Sequence, residues 1–164
     1  METEHTDVVV IGLGVGGEDA AGRLAEAGLH VTGIEGRLVG GECPYWACIP
    51  SKMMIRAGNL LAEARRVPGM AGSTQVTADW APVAQRIRQE ATDDWNDKVA
   101  VDRFTGKGGH FIRGQATITG PRQVTVATDA ATGSTWRSWT WSGRSPACTP
   151  ARWRSPPTVP GAGR

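Results

Sequence analysis

The first 35 residues alternate between short apolar runs and a segment of small residues. Residues 7–12 form a brief run of β-branched side chains, which predicts a buried strand. Residues 18–28 are mostly small and end at a glycine suited to a C-cap, which predicts a helix. Residues 30–35 predict a second strand. This order favours an α/β fold with a Rossmann-like parallel sheet and flanking helices.

Apolar residues then recur at helical spacing. Residues 53–66 predict a helix whose large apolar side chains are assigned to the core: Met53, Met54, Leu60 and Leu61. A second helix is predicted to begin at Asp79 and to carry one long stripe of packed residues: Trp80, Val83, Ile87, Ala91, Trp95 and Val99. The charges beside this stripe are interpreted as a solvated face: Asp93, Asp94, Asp97, Lys98 and Asp102. Residues 110–118 and 123–127 predict two strands of a small antiparallel appendage.

The pattern changes after residue 129, which divides the chain into a body (1–129) and a tail (130–164). The tail holds four of the seven tryptophans, and Val159 is its only residue among Ile, Leu, Val and Met. It shows neither a helical nor a strand period, which predicts an irregular segment of low order. One hypothesis is a frame-shifted reading of a GC-rich gene. A competing one is single-stranded nucleic-acid binding through the interleaved Arg and Trp residues.

Charge and composition narrow the class of protein. The net charge is +2, but residues 1–129 carry 13 basic and 16 acidic side chains, while the tail carries five Arg and no acid. The basic balance is therefore a property of the tail and carries no information about the body. No apolar run reaches membrane-spanning length, and the acidic start lacks the features of a signal peptide. A cytoplasmic location without a structural disulfide framework is expected.

A glycine pattern follows the first predicted strand directly. Gly12, Gly14 and Gly17 match G-x-G-x-x-G, with Gly16 inside the match. Such glycines provide a tight turn, a close backbone approach to a pyrophosphate, and close helix–strand packing, while the helix N-terminus attracts phosphate. Glu35, at the end of the second strand, is placed to accept hydrogen bonds from ribose hydroxyls. The segment therefore predicts a dinucleotide site.

Two cysteines, Cys43 and Cys48, stand five positions apart after a pair of glycines. Positions i and i+5 of an ideal helix are too far apart for a disulfide, so a bonded pair requires a distorted turn. Gly40, Gly41 and Pro44 favour such a turn near a helix start, where a thiolate is stabilised. A redox pair, two unrelated buried cysteines and half of a metal site remain open. Since no second Cys/His pair has ligand spacing, no metal site is predicted.

Taken together, residues 12–21 and 40–52 resemble the class I FAD-dependent pyridine nucleotide–disulfide oxidoreductases, which include dihydrolipoamide dehydrogenase and mercuric reductase. The matching patterns are Gly-x-Gly-x-Gly-Gly-x-x-Ala-Ala and Gly-Gly-x-Cys-x4-Cys-x-Pro-Ser-Lys. The resemblance covers residues 7 to about 129. It implies an FAD-binding domain in which electrons pass from NAD(P)H through the flavin to a Cys43–Cys48 disulfide.

The resemblance also implies a role for each matched residue. Cys43 would be the thiol that attacks the substrate, Cys48 would lie against the flavin, and Lys52 would tune the flavin's reactive edge. The remaining matched positions would bind the cofactor: Gly12, Gly14, Gly16, Gly17, Glu35 and Gly41. The partner would be a small disulfide or a related electron acceptor, and family members form homodimers.

The residues between the cysteines, Pro-Tyr-Trp-Ala, depart from the family's usual Leu/Val-Asn-Val-Gly. The spacing is kept, but the bulk of Tyr45 and Trp46 next to the exposed thiol argues against carrying over a particular family substrate. The chain is expected to be the N-terminal part of such an enzyme, without the NAD(P) and dimerisation domains and inactive by itself. The alternative is a non-catalytic FAD- or ADP-binding remnant.

Overall fold

The computed structural model describes residues 3–130 and 133–141. Along the chain, a parallel sheet and its helices are followed by most of the strands of a second sheet, whose first strand lies at residues 3–6. The elements are β1 (Thr3–Thr6), β2 (Val8–Ile11), α1 (Val15–Glu26), β3 (Val31–Glu35), α2 (Glu42–Tyr45), α3 (Cys48–Ala64), α4 (Ala81–Arg86), a π-helix (Ile87–Ala91), α5 (Lys98–Gly106), β4 (His110–Arg113), β5 (Gln115–Gly120), β6 (Gln123–Ala130) and β7 (Gly133–Trp141).

The parallel sheet has the strand order β2-β3-β4 and is packed against α1 and α5. Its core is built mainly from Leu13, Val31, Val39 and Phe104, all at most 2% exposed. Gly33 on β3 lies under Phe104, whose ring would be only 2.8 Å from an added Cβ. The strand–helix–strand order of residues 8–35 confirms the predicted Rossmann-like α/β fold.

A second sheet, of order β1-β7-β6-β5, contains the predicted antiparallel appendage in its strands β5 to β7. The prediction of one strand over residues 110–118 is wrong, because the chain changes sheets at Gly114. The N–H of Gly114 donates to the carbonyl oxygen of Glu35 over 3.1 Å, and an added Cβ would be 2.5 Å from the carbonyl oxygen of Ala127. β4 therefore completes the parallel sheet, and β5 begins the other one.

Residues 133–141 differ from the sequence prediction of an irregular segment, because they form strand β7. This strand pairs antiparallel with β6 and parallel with β1. Its sequence is rich in Thr and Trp, which have high strand propensity, and pairing through the backbone requires no aliphatic side chains. Residues 142–164, which make up most of the tail for which a frame-shifted reading is hypothesised, lie outside the described residues.

The prediction of one continuous helix over residues 79–99 is also wrong. Asp79 does accept the N–H of Ala81 at the helix start, over 3.0 Å, but α4 gives way to the π-helix and then to a turn before α5. Trp80 and Val99 are exposed, so they do not pack as predicted. In α3, Met54 and Leu60 are likewise exposed rather than in the core. Within the described residues, no helix is long and apolar enough to cross a membrane.

Candidate active site

The glycine loop, residues 12–17, connects β2 to α1. Gly12 has φ +89°, which only glycine adopts readily, and its N–H donates to the carbonyl oxygen of Ile34 over 2.8 Å. A side chain at Gly17 would overlap the carbonyl oxygen of Gly12. The loop is thus a tight turn closed against the first helix, as its glycines predict.

The N-terminus of α1 fits an anionic ligand. Gly14 is the N-cap residue, and no side chain caps the first turn, which begins at Val15. The first N–H groups of a helix have no intrahelical acceptor and carry the positive end of the helix dipole. A Cβ at Gly16 would meet nothing within 4 Å. The glycine loop therefore leaves room for a phosphate group next to the backbone N–H groups that would bind it.

Glu35 is fixed beside the glycine loop at the end of β3. Its Oε2 accepts the N–H of Leu13 over 2.8 Å, and its Oε1 accepts the N–H of Arg37 over 2.7 Å. Each carboxylate oxygen retains a further lone pair for an incoming hydroxyl group. The acid predicted to bind ribose is therefore held in place next to the loop predicted to bind phosphate.

The two sequence motifs are in direct contact. The N–H of Gly40 donates to the carbonyl oxygen of Leu13 over 2.7 Å, and Gly14 and Gly40 form an isolated parallel bridge. Gly41 has φ +69°, and a Cβ there would be 2.8 Å from the Cα of Gly14. Only glycine satisfies both conditions at position 41. This contact places the segment that leads to Cys43 against the glycine loop.

The cysteine turn, residues 43–48, contains the break in helical structure that its spacing predicts. Cys43 lies in the one-turn helix α2, and Cys48 is the first residue of α3. Trp46 (φ −132°, ψ −21°) and Ala47 (φ −116°, ψ −92°) separate the two helices. Both cysteines are free thiols, with Cys43 half-buried and Cys48 exposed.

The Cys48 thiol and Lys52 act in opposite directions on the pKa of Cys43. A hydrogen bond with the Cys48 thiol is the main reason that the pKa of Cys43 is raised above its ordinary value, and burial raises it further. The nearby positive charge of Lys52 acts in the opposite direction and lowers the Cys43 pKa. Lys52 is exposed and lies one turn beyond Cys48 on α3, since positions i and i+4 share a helix face. The three predicted catalytic residues are thus brought together.

The two aromatic residues between the cysteines have different environments. Tyr45 is only 7% exposed, and burial is the main reason that its pKa is raised. Trp46 is 40% exposed, and the guanidinium of Arg37 lies 4.3 Å from the centroid of its ring. Sequence analysis expected bulk from both residues at the thiol, but only Trp46 presents its ring at the surface.

Three residues near the cysteine turn were missed by sequence analysis. Trp95 donates its Nε1–H to the carbonyl oxygen of Tyr45 over 3.2 Å. Asp97 accepts the N–H of Val39 over 2.7 Å and pairs with the guanidinium of Arg113 at 2.5 Å. The solvated-face interpretation is wrong for Asp97, which is 8% exposed. No local signal separates it from its exposed acidic neighbours, because its partners are 16 or more positions away.

Among the described residues, no group of three or more His, Cys, Asp or Glu side chains could hold a metal ion. The chemistry that the described site offers is that of its glycine backbone, a placed carboxylate and two adjacent thiols beside a lysine.

Comparison with known proteins gives the same pairing of motifs a family context. Residues 6–152 match the pyridine nucleotide-disulphide oxidoreductase family. The chain is 36% identical over 129 residues to dihydrolipoyl dehydrogenase of Halobacterium salinarum, covering 74% of this chain and 25% of that protein. It is 31% identical over 138 residues to chloroplastic dihydrolipoyl dehydrogenase 2 of Arabidopsis thaliana, covering 77% and 23%. It is 48% identical over 62 residues to soluble pyridine nucleotide transhydrogenase of Vibrio atlanticus, covering 37% and 13%.

The chain therefore spans about a quarter of the length of the dihydrolipoyl dehydrogenases that it matches. Members of the matched family are FAD-dependent oxidoreductases with NAD(P)H as a substrate. The family match extends over most of the chain and includes both the glycine loop and the cysteine turn. This chain belongs to the pyridine nucleotide-disulphide oxidoreductase family.

Proposed function

We propose that this chain provides the FAD site and the redox-active cysteine pair of an NAD(P)H-dependent disulfide oxidoreductase. The observation that carries the proposal is the contact between Gly14 and the Gly40–Gly41 segment, which joins the dinucleotide motif to the cysteine motif. Gly14 and Gly40 are 26 positions apart in sequence, and their contact would join the two motifs into one continuous site. Such proximity is what electron transfer between a flavin and a disulfide requires.

The cofactor would be held mainly by backbone groups. Gly12, Gly14, Gly16 and Gly17 would let its pyrophosphate approach the N-terminus of α1, and Gly41 would keep the cysteine segment close to the loop. Glu35 would accept hydrogen bonds from the ribose hydroxyls, using the carboxylate lone pairs that are not already bound by the N–H groups of Leu13 and Arg37.

The two thiols would have different tasks. When bound, the flavin supplies two-electron redox chemistry. Cys48 lies at the N-terminus of α3 beside Lys52 and would face the cofactor. Cys43 would attack one sulfur of a disulfide substrate, releasing the other sulfur as a thiol after proton uptake. Attack by Cys48 on the mixed disulfide then releases the second thiol, so that the protein dithiol becomes a disulfide and the substrate is reduced by two electrons.

The acceptor would be a small-molecule disulfide or a related compound, with Trp46 and Arg37 at the surface beside the cysteine turn. The 164 residues alone would support little or no steady NAD(P)H oxidation, because the region matched in the relatives is about a quarter of their length.

Two matched glycine substitutions test the proposed FAD site. A Cβ at Gly16 or at Gly106 meets nothing within 4 Å, so neither Gly16→Ala nor Gly106→Ala is expected to disturb the fold. Gly106 is the last residue of α5, and the adjacent Lys107 pairs with Glu26, the last residue of α1, at 3.6 Å. FAD titration followed by flavin fluorescence should show at least about tenfold weaker binding for Gly16→Ala, the effect of lost close contact at a phosphate. Equal affinities for the two variants, or no FAD binding by the unsubstituted chain, would reject the proposal.

A further inference from the structure

A single loop, residues 92–97, holds the cysteine turn in place by hydrogen bonds. We name it the clamp loop. This loop connects the π-helix to α5. It contacts the backbone on both sides of Cys43, through Trp95 on one side and Asp97 on the other. Neither residue belongs to the glycine motif or to the cysteine motif.

The clamp loop has an unusual backbone that its surroundings enforce. Asp93, Asp94 and Trp95 have φ values of 48°, 54° and 57°, and three successive non-glycine residues in the left-handed region are costly. Thr92 is 1% exposed and donates its hydroxyl to the carbonyl oxygen of Arg88 over 2.9 Å. The π-helix that precedes the loop is a second feature that concentrates at functional sites. This conformation aims the side chains of Trp95 and Asp97 at the cysteine turn.

The first of these contacts lies on the C-terminal side of Cys43. The indole Nε1–H of Trp95 donates to the carbonyl oxygen of Tyr45 over 3.2 Å. Tyr45 ends α2, just before the break at Trp46, and its own ring is buried. The bond therefore fixes the end of the short helix that carries Cys43.

The second contact lies on the N-terminal side of Cys43. Oδ2 of Asp97 accepts the N–H of Val39 and one N–H of the Arg113 guanidinium. Arg113 also donates to the carbonyl oxygen of Arg37. The side chain of Asp97 is only 11% exposed, so its hydrogen bond with Val39 is shielded from water. These hydrogen bonds fix the segment that enters the cysteine turn, next to the Gly40 contact with the glycine loop.

We propose that Trp95 and Asp97 are positioning residues that set the redox equilibrium of the Cys43–Cys48 pair. The inference rests on the proposed function, because it takes these two thiols as the redox pair. A disulfide requires its Cα atoms to be within about 4.4–6.8 Å. Holding the backbone before and after Cys43 keeps its sulfur within reach of Cys48 across the break at Trp46 and Ala47. Loss of the hydrogen bonds of either Trp95 or Asp97 lowers the effective concentration of one thiol at the other. The disulfide then becomes easier to reduce.

The test is equilibration of the chain with glutathione, in a Cys148→Ser background that leaves only the two thiols of the turn. Two protein thiols lose two electrons and two protons to glutathione disulfide, which becomes two molecules of reduced glutathione. The ratio of dithiol to disulfide is read by mass spectrometry after alkylation. Trp95→Phe removes the indole N–H but keeps an aromatic ring, and Asp97→Asn removes the charge that faces Arg113.

Each variant has a matched control. Trp80→Phe changes an exposed tryptophan at the start of α4. Asp102→Asn breaks an exposed ion pair with Lys98 on α5. We expect an effective concentration about fivefold lower in Trp95→Phe and in Asp97→Asn, the size of one lost hydrogen bond, and no change in the controls. Urea midpoints identify any variant that does not fold, and if Asp97→Asn is one of them, Trp95→Phe decides.

The possible results distinguish a failure of the proposed function from a failure of the positioning role. If the unsubstituted pair forms no disulfide at any glutathione ratio, the proposed function fails. If it does form one, an unchanged or increased effective concentration in the folded clamp variants, or an equal decrease in the controls, overturns the positioning role alone.

Discussion

The two cysteines lie on helices that are held in very different ways. Helix α2, with Cys43, is only one turn long, but its last residue is buried and its carbonyl group is bound by Trp95. Helix α3, with Cys48, has 17 residues, of which only Pro50 is buried. A short, well-anchored element thus faces a long, exposed one across the cysteine turn. The comparison indicates that the position of Cys43 is set by tertiary contacts, while that of Cys48 is set largely by the regular helix that it begins.

The strongest contrast is expected in stability. Tyr45→Ala removes a ring that is 7% exposed on α2, whereas Ile55→Ala shortens a side chain that is 62% exposed on α3. Loss of a buried aromatic ring should lower the free energy of unfolding by about 3 kcal/mol. The exposed substitution should change it by less than about 0.5 kcal/mol. Urea titrations give both values, and similar losses in the two variants would show that α3 is as firmly packed as α2.

The Gly41 contact should be the next most sensitive feature. Gly41→Ala places a Cβ 2.8 Å from the Cα of Gly14 at φ +69°, which should cost about 1–3 kcal/mol in backbone strain. It should also weaken FAD binding. Gly58→Ala is the control, because it lies inside α3 with nothing within 4 Å of its added Cβ. Alanine is a better helix former than glycine, so this variant should be neutral or slightly more stable; a comparable loss in both variants would contradict the close contact.

The reactivity of the Cys43 thiol on α2 should depend on two residues of α3, Cys48 and Lys52. The hydrogen bond with Cys48 raises the pKa of Cys43, and the charge of Lys52 lowers it. Cys48→Ala should therefore lower the midpoint of the pH profile for alkylation of Cys43, and Lys52→Met should raise it. Because the folded pKa of Cys43 lies above its unfolded value, this thiol stabilises the fold below the unfolded pKa. That contribution is lost as the pH rises through the folded pKa. Coincident profiles in the three proteins would contradict the thiol–thiol contact.

The smallest effect is expected at the surface of the turn. Arg37→Ala removes the guanidinium over Trp46 and an ion pair with Glu42 in which both side chains are more than 60% exposed. Such exposed interactions contribute about 1 kcal/mol or less. Thermal unfolding should show a small decrease, and a loss as large as that of Tyr45→Ala would mean that Arg37 supports the turn as strongly as the buried ring.

The features that could be predicted from sequence are those determined by local patterns. The turn at Gly12, the close packing at Gly17 and the helix break between the cysteines follow from residue types at fixed spacing. The change of sheet at Gly114 depends on a steric limit imposed by Ala127, and the burial of Asp97 depends on Val39 and Arg113. Both are tertiary effects without a local signature. The exposure of Met54 and Leu60 was missed for a related reason, since helical spacing shows an apolar face but not what covers it.

In the function proposed here, the glycine loop and the cysteine turn form one flavin-linked redox site. The most direct measurement is the absorbance spectrum of the FAD-loaded chain. The chain with both cysteines is measured after addition of two electrons, which reduce the disulfide and leave the flavin oxidised, whereas Cys43→Ser and Cys48→Ser cannot form the disulfide and are measured without added electrons. The proposed roles predict a long-wavelength band from a Cys48 thiolate against the oxidised flavin, present in the reduced chain with both cysteines and in Cys43→Ser, and absent from Cys48→Ser. A band that is unaffected by Cys48→Ser, or its absence from a flavin-loaded chain with both cysteines, would contradict the claim.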